Sequence, residues 1–534
     1  MRPKSSLPAV VLVLSLLIAG CAGSTPSVTA PASSGGGGTL TRSMTDEPTS
    51  LDPQGAANSG ANLMLPYLFD TLVTRQSDGQ YVPLLAESWQ VGSDGKTVDF
   101  KLRQGVKFHD GSALDAKAVV FTFERFKAQG DKSPIAGNIK EIASITALDE
   151  STVRFSFAKP TATVFSTLSM PYAGILSPSA VAAAGQDVGR KPVGTGPFKL
   201  GDWQSGVGVT LVRNPDYNWG TPEAKNRGPV KFEKLVFKLI PDPSTQLAAL
   251  QSGDVDVLFV NEPSQLTTLE KDNNFAVQRV NLDSLIYLGF NCAKPPFDDV
   301  KVRQALSFAV NKDQIVQTAL AGMGAVASTP LTPSLLGYNA DLGSYGQGFD
   351  PAKAKSLLTQ AGFNQGADGV WQRGGQKLTA RLLTSTRAPN DAIATVLQSQ
   401  FKTLGVPVEI QQLDSAAVMK STTEGAFDIL LWRYEWNDPD ALNIYLGGSR
   451  IRQTNRVFYS NKAVDDLLRK GLSEFDSAKR AGIYQEAQKL ILADAPWQPL
   501  YLPVEGLVVG KRVQGLKIGA LGRMLVNDVT LAGQ

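Results

Sequence analysis

Trp89-Gln90-Val91-Gly92-Ser93-Asp94-Gly95-Lys96-Thr97-Val98-Asp99-Phe100-Lys101-Leu102 is the stretch on which the reading of the fold turns. From Thr97 onward polar and apolar residues alternate, so a strand of period two puts Val98, Phe100 and Leu102 on one face. Asp94-Gly95 tolerates the backbone of a tight turn, and the whole stretch reads as a β-hairpin. Val153, Phe155 and Phe157 repeat the alternation in a further strand, and residues 116–126, lying between, read as a helix. Strands interleaved with helices in this way predict a mixed α/β layer architecture.

The same logic extends toward the C-terminus. Residues 234–240 read as a strand, Pro243-Ser244-Thr245-Gln246-Leu247 starts a helix stopped by Gly253, and 255–260 return to strand. Asp299 is placed to cap a helix in which Val302, Ala305, Leu306 and Ala309 recur at helical spacing. Asp350-Pro351 opens another helix, with proline in its first turn, and Gly362 closes it. Residues 461–472 and 477–492 form an amphipathic pair, while Tyr501-Leu502-Pro503 and Leu507-Val508-Val509 read as strands returning toward the first half. Such a late return suggests two lobes joined by more than one crossing.

Composition narrows the function. At 534 residues the chain exceeds one core, and 43% apolar with 19% charged residues describes a globular protein. A net charge of +3 without a long Lys/Arg run gives no bias toward nucleic acid. One histidine, His109, and two cysteines, Cys21 and Cys292, exclude zinc patterns built from several Cys and His, so no metal site and no cofactor are expected. A secreted hydrolase is the rival class. A serine triad could use only His109, and no Gly-x-Ser-x-Gly elbow is present. Ser93-Asp94-Gly95-Lys96 has the Ser-x-x-Lys spacing but sits in the predicted hairpin turn, without a companion Lys-Thr-Gly. No catalytic residue is therefore assigned. The absence of a Walker-type loop leaves any ATP hydrolysis to partner chains.

At the N-terminus, Arg2 and Lys4 precede an apolar run over 7–20, shorter than the about 20 residues that span a membrane. Charged start, short apolar run and small-residue site read as a secretion signal over 1–20. Ile18-Ala19-Gly20-Cys21 resembles the bacterial lipobox, which implies lipidation of Cys21; an ordinary signal peptide with a chance cysteine is the alternative. Lipidation would leave Cys292 unpaired and no intrachain disulfide. Residues 22–38, built from Ala, Gly, Ser, Thr and Pro, read with Cys21 as a flexible tether over 21–38, with a reach of roughly 20–25 Å.

Several blocks resemble the extracytoplasmic solute-binding protein family 5, the peptide/nickel group of ABC importers. They are Glu47-Pro48-Thr49-Ser50-Leu51-Asp52-Pro53, Leu85-Ala86-Glu87-Ser88-Trp89, the run from Phe100 through Val106-Lys107-Phe108-His109-Asp110-Gly111, Val193-Gly194-Thr195-Gly196-Pro197-Phe198 with Arg213-Asn214-Pro215-Asp216-Tyr217, and Val302-Arg303-Gln304-Ala305-Leu306 with Ala309-Val310-Asn311-Lys312. The resemblance implies a two-lobed periplasmic-binding-protein fold of the large peptide-binding type, with an extra subdomain in the first lobe. Lobe one is expected over 39–283 with the insertion near 90–190, lobe two over 284–504, and a return to lobe one over 505–534. It further implies capture of a dipeptide- or oligopeptide-like solute by hinge closure. The expected partners are that ligand, an ABC permease and its ATPase, and a membrane reached through Cys21, with the chain itself a monomer outside the cytoplasm. An opine, an oligosaccharide, a glutathione-like molecule or a nickel complex is the alternative cargo. A solute-sensing lipoprotein that does not transport remains open.

Candidate contacts concentrate in Leu430-Leu431-Trp432-Arg433-Tyr434-Glu435-Trp436-Asn437-Asp438-Pro439-Asp440. Aromatic rings beside carboxylates suit a pocket that buries a ligand and pairs its positive charge, which nominates Trp432, Tyr434, Trp436 and Asp438. In peptide-binding relatives an acidic residue three positions before an Asp-Pro pair holds the ligand's ammonium group. Glu435 occupies that position, with a longer side chain than the usual Asp. Core tryptophans and a solvated Glu435 are the alternative. Arg387, in Ser385-Thr386-Arg387-Ala388-Pro389-Asn390, resembles the residue that pairs a short ligand's carboxylate; a surface arginine is the competing reading. Asp438 and Asp440 also suit a turn and a helix cap. Tyr67 and Phe69 are candidates for the lobe-one face, and His109 for a turn.

Overall fold

The computed structural model describes residues 37–55 and 58–532. The expected signal peptide, Cys21 and all of the tether before Gly37 lie outside the described residues.

One sheet of twelve strands carries the architecture. Thr39–Met44 runs parallel to Lys234–Leu239 and touches Val257–Val260 on its other side. Val257–Val260 in turn pairs with the long strand Trp497–Gly510. The C-terminal half of that strand also pairs with Phe275–Asn281, whereas its N-terminal half pairs with Ser284–Phe290 and Gly324–Val326. Beyond Ser284–Phe290 the sheet continues through Ile429–Glu435, Ala380–Ser385 and Val408–Leu413. The chain thus passes between the two halves of the sheet at 281–284, and again inside the long strand near 502–505.

The strands expected at 501–503 and 507–509 are parts of this one strand. Val504, Glu505 and Gly506 between them keep pairing, with Asn281, Val280 and Arg279. Gly506 permits a close approach here, because a Cβ would fall 2.1 Å from Leu266.

Each half has its own core. Leu40, Tyr67, Leu211, Phe237 and Leu507 pack together in the first, joined by Met524, Val526 and Val529 from the C-terminal segment. Leu288, Leu306, Leu382, Leu397 and Leu431 pack in the second. The expected hairpin is Ala86–Val91 with Thr97–Leu102, and it belongs to a separate four-stranded sheet completed by Thr152–Phe157 and Ile142–Ala147. Val98, Phe100 and Leu102 are all buried on one face, where Phe100 and Phe123 meet Phe155 edge-on at 5.5 and 5.1 Å. The helix expected at 116–126 runs over Ala116–Gln129, with Asp115 accepting from the Ala118 amide.

Local signals hold elsewhere for stated reasons. Asp299, Asp350 and Asn461 each accept a backbone N–H of the helix they open. Gly253, at φ +81°, closes Pro243–Ser252 in a left-handed conformation that a side chain would strain. No described helix is long and apolar enough to cross a membrane.

The small sheet's neighbourhood also touches the second half. The Ala162 amide donates to the Leu472 carbonyl at 2.8 Å, and Phe165 meets Phe475 edge-on. Arg75 donates to the Asn437 carbonyl at 2.9 Å and pairs with Asp283 at 2.8 Å.

Candidate functional site

A cavity of about 1140 Å³ opens between the two halves of the sheet, with walls drawn from both. Arg42, Tyr67, Phe69 and Glu505 contribute from the first half, and Arg387, Trp432, Arg433, Glu435 and Tyr501 from the second. Few of these positions are neighbours in sequence. They meet because the ends of central strands converge at the crossing points.

Strand Ile429–Glu435 supplies the charged wall. Its register sets Arg433 beside Ile286, which lies in turn beside Tyr501, and sets Glu435 beside Ser284. Period two then gives Arg433 and Glu435 one face and Tyr434 the other. Both charged side chains are exposed to the cleft, whereas Tyr434 is 1% exposed. The Tyr434 hydroxyl donates to the Pro330 carbonyl and its ring stacks on Trp497 at 5.7 Å. Tyr434 is thus a core residue, which corrects the expectation that it lines the site; an odd-numbered shift along the strand faces it away.

Asp438 is corrected for a different reason. It is 1% exposed and held by both guanidinium nitrogens of Arg480, at 2.7 and 2.9 Å. The Tyr81 hydroxyl donates to it at 3.1 Å, and its own Oδ1 accepts the Asp440 amide at 2.9 Å. Its acceptor capacity is spent on the protein itself. Asp440 occupies the N-cap position of Ala441–Leu446 without a side-chain cap bond, and burial beside Asp438 pushes its carboxyl up to about 7.

Trp436 lies off the cavity wall and packs edge-on against Tyr445, 6.2 Å away. Trp432 is on the wall and half-buried, packed with Leu383, Val418 and Leu430. Tyr67 and Phe69 are wall residues with little free surface, and the Tyr67 hydroxyl donates to the Met524 carbonyl at 3.0 Å. Their position depends on the Val193-Gly194-Thr195-Gly196 block: a Cβ at Gly194 would fall 2.2 Å from the Leu68 carbonyl oxygen, and one at Gly196 2.3 Å from that of Tyr67. His109 serves the same packing. Its Nδ1 accepts the Gly194 amide, so Nε2 carries the proton toward the Gly196 carbonyl at 3.0 Å, and burial holds the ring down at about 4.

Arg387 is exposed on the cavity wall, just past strand Ala380–Ser385 and before helix Asn390–Leu404. Among the described residues, neither Arg387, Arg433 nor Glu435 forms an ion pair within 4 Å, although Arg75 does with Asp283 on the wall of the same cavity. Sequence reasoning passed over Arg433, although it stood inside the quoted run at the same phase as Glu435. It also passed over Arg42, whose guanidinium lies over the Phe259 ring at 4.7 Å. Burial holds that guanidinium below its usual range, while burial pushes the nearby Glu505 carboxyl up. Asp70, on the cavity wall, is sealed by Trp219, Thr195 and Tyr217 at 2.8, 3.1 and 3.3 Å, with its carboxyl raised by burial. No spacing pattern announces such contacts.

A family model for bacterial extracellular solute-binding proteins, family 5 middle, matches residues 80–450. The chain belongs to this family. The dipeptide-binding protein of Escherichia coli K12 is 30% identical over 480 residues, covering 85% of this chain and 86% of its own. Heme-binding protein A of Haemophilus influenzae is 29% identical, covering 85% and 84%. Among solved structures, HbpA2 of Haemophilus parasuis superposes with a TM-score of 0.82 at 27% identity, covering 92% of this chain and all (100%) of that one. The DppA periplasmic binding protein of Helicobacter pylori, in complex with the peptide STSA, gives 0.66 at 29% identity, covering 93% and 98%.

As a family 5 protein the chain has the two-lobed fold of the peptide-binding type, and the cavity is its interlobe cleft. It is an extracytoplasmic solute-binding component of an ABC importer rather than an enzyme. Cys292 is the free cysteine of the described part; its thiol donates to the Phe290 carbonyl at 3.4 Å, and burial pushes it up to about 11.

Proposed function

We propose that this family 5 protein captures short peptides, with Glu435 receiving the ligand's ammonium group and Arg387 its carboxylate. The observation that carries the reading is the placement of an unpaired carboxylate and an unpaired guanidinium on one wall of the interlobe cleft. Charge-assisted hydrogen bonds of this kind orient a zwitterion without reading its side chains. A cavity of about 1140 Å³ has room for several residues or for a few residues with bridging water. The lobes, divided at 283/284 and 504/505, hinge on the two crossings, and ligand trapped between them stabilises the closed form that the permease accepts.

The chain acts as a monomer tethered outside the cell membrane by a lipid on Cys21. Replacement of Cys21 by Ser moves the protein from the membrane fraction to the soluble fraction if this is right. Glutathione- and heme-binding relatives define the competing cargo classes. Intact mass of the purified protein, native against denatured, tests the peptide reading directly. Released masses that match short peptides support it, and a single tetrapyrrole or sugar mass overturns it.

A further inference from the structure

The lobe-two wall carries more positive charge than a simple dipeptide can use. Arg387 and Arg433 both line the cleft there, against one carboxylate, Glu435. A zwitterionic ligand brings an ammonium for Glu435 and one carboxylate for Arg387, which leaves Arg433 unmatched. Arg433 stands on a central strand beside Ile286 and Tyr501, so the sheet holds its backbone rather than a loose loop. Arg433 is near enough to feel the charge of Arg387 and, with opposite sign, that of Glu435, and no carboxylate among the described residues lies within ion-pairing distance of either guanidinium.

Lobe one brings carboxylates to the cleft, but among the described residues none of them forms an ion pair with Arg387 or Arg433; Asp283 pairs with Arg75 at 2.8 Å. Arg42 is set against Glu505, and Glu223 accepts the Ser77 amide at 2.8 Å. Glu262 accepts the Ser264 hydroxyl at 3.2 Å. Like charges left together in a cleft destabilise it until an anion arrives, which is how such a wall selects its ligand.

We propose that Arg433 and Arg387 together form a two-anion wall, and that the ligand is an acidic short peptide carrying a side-chain carboxylate besides its terminal one. This inference rests on the peptide reading of the same cleft. A charged hydrogen bond gained by the acidic ligand corresponds to a preference of about tenfold or more over its amide counterpart.

The test is calorimetric titration of the protein, freed of co-purified ligand, with two matched pairs: Ala-Glu against Ala-Gln, and Asp-Ala against Asn-Ala. In at least one pair the acid binds about tenfold or more tightly than the amide, and the ratio shrinks as salt is raised from 50 to 500 mM, values chosen to shorten the Debye length to well under about 10 Å. Arg433→Gln brings that ratio toward one. Equal affinities in both pairs overturn the inference and leave the peptide reading standing. Binding of none of the four peptides overturns both. If Arg433→Gln weakens acid and amide alike, Arg433 serves lobe closure by meeting a lobe-one carboxylate, and the acidic-ligand inference falls.

Discussion

Glu435, at the end of a strand, and Asp438, in the turn that follows, stand three positions apart, and their surroundings differ completely. Glu435 is exposed at the cleft with no ion pair among the described residues, whereas Asp438 is 1% exposed and clasped by Arg480. The same chemical group is left free for a ligand in one place and consumed by the fold in the other. A carboxylate can bind cargo only where the protein has not already satisfied it. The buried pair also braces the turn after Glu435: Asp438 takes the Tyr81 hydroxyl, while Arg75 holds the Asn437 carbonyl beside it, so residues from the first half of the chain hold the segment that follows Glu435.

Breaking this contrast should hurt most at the buried end. Asp438→Ala strands the Arg480 guanidinium and is expected to destabilise the protein by about 3–5 kcal/mol, read from the urea midpoint. An unchanged midpoint would mean that water compensates the arginine and that the pair does not anchor the turn. Glu435→Gln should do the reverse. Affinity for a ligand with a free amine falls by about 1.5–3 kcal/mol, while the melting transition stays where it was. Unchanged affinity removes Glu435 from the site.

Asp440 sharpens the comparison through pH. Its carboxyl is raised to about 7 from 3.8, so the folded state holds the proton that the unfolded state releases. Its stabilising contribution is present below about pH 4 and is lost as pH rises toward 7. Asp440→Asn does not titrate, so it should gain on the parent by about 4 kcal/mol between pH 4 and 7 and gain nothing further above. A constant offset across that range would show that Asp440 stays ionised. The smallest effect is expected at the brace: Tyr81→Phe removes one hydroxyl donor to Asp438 and should lower stability by about 0.5–1.5 kcal/mol. A larger loss would show that the hydroxyl's second acceptor, the Asn437 carbonyl at 3.2 Å, depends on it as well.

Much of the fold was legible locally. The hairpin around Asp94-Gly95, the helices opened by Asp299 and Asp350 and the stop at Gly253 are written in neighbouring residues, because caps, turns and alternation act over a few positions. The long strand was read as two pieces, since its continuity comes from pairing with Phe275–Asn281, more than two hundred residues earlier. Of the candidates in the 430–440 run, composition nominated aromatic and acidic side chains together. It could not tell Tyr434, which faces the core, from Arg433, which faces the cleft.

The sequence by itself determined the family, the alternation of strands and helices, and the short list of groups able to hold a zwitterion. Those follow from ordered motifs and from near-neighbour geometry. Only the tertiary structure decided which groups remain available. Asp438 is consumed by an arginine 42 positions away, and Arg433 becomes a wall residue because Ser284–Phe290 and Trp497–Gly510 lie beside it. Satisfaction of a charge depends on what is near in space, and spacing along the chain carries no record of that distance.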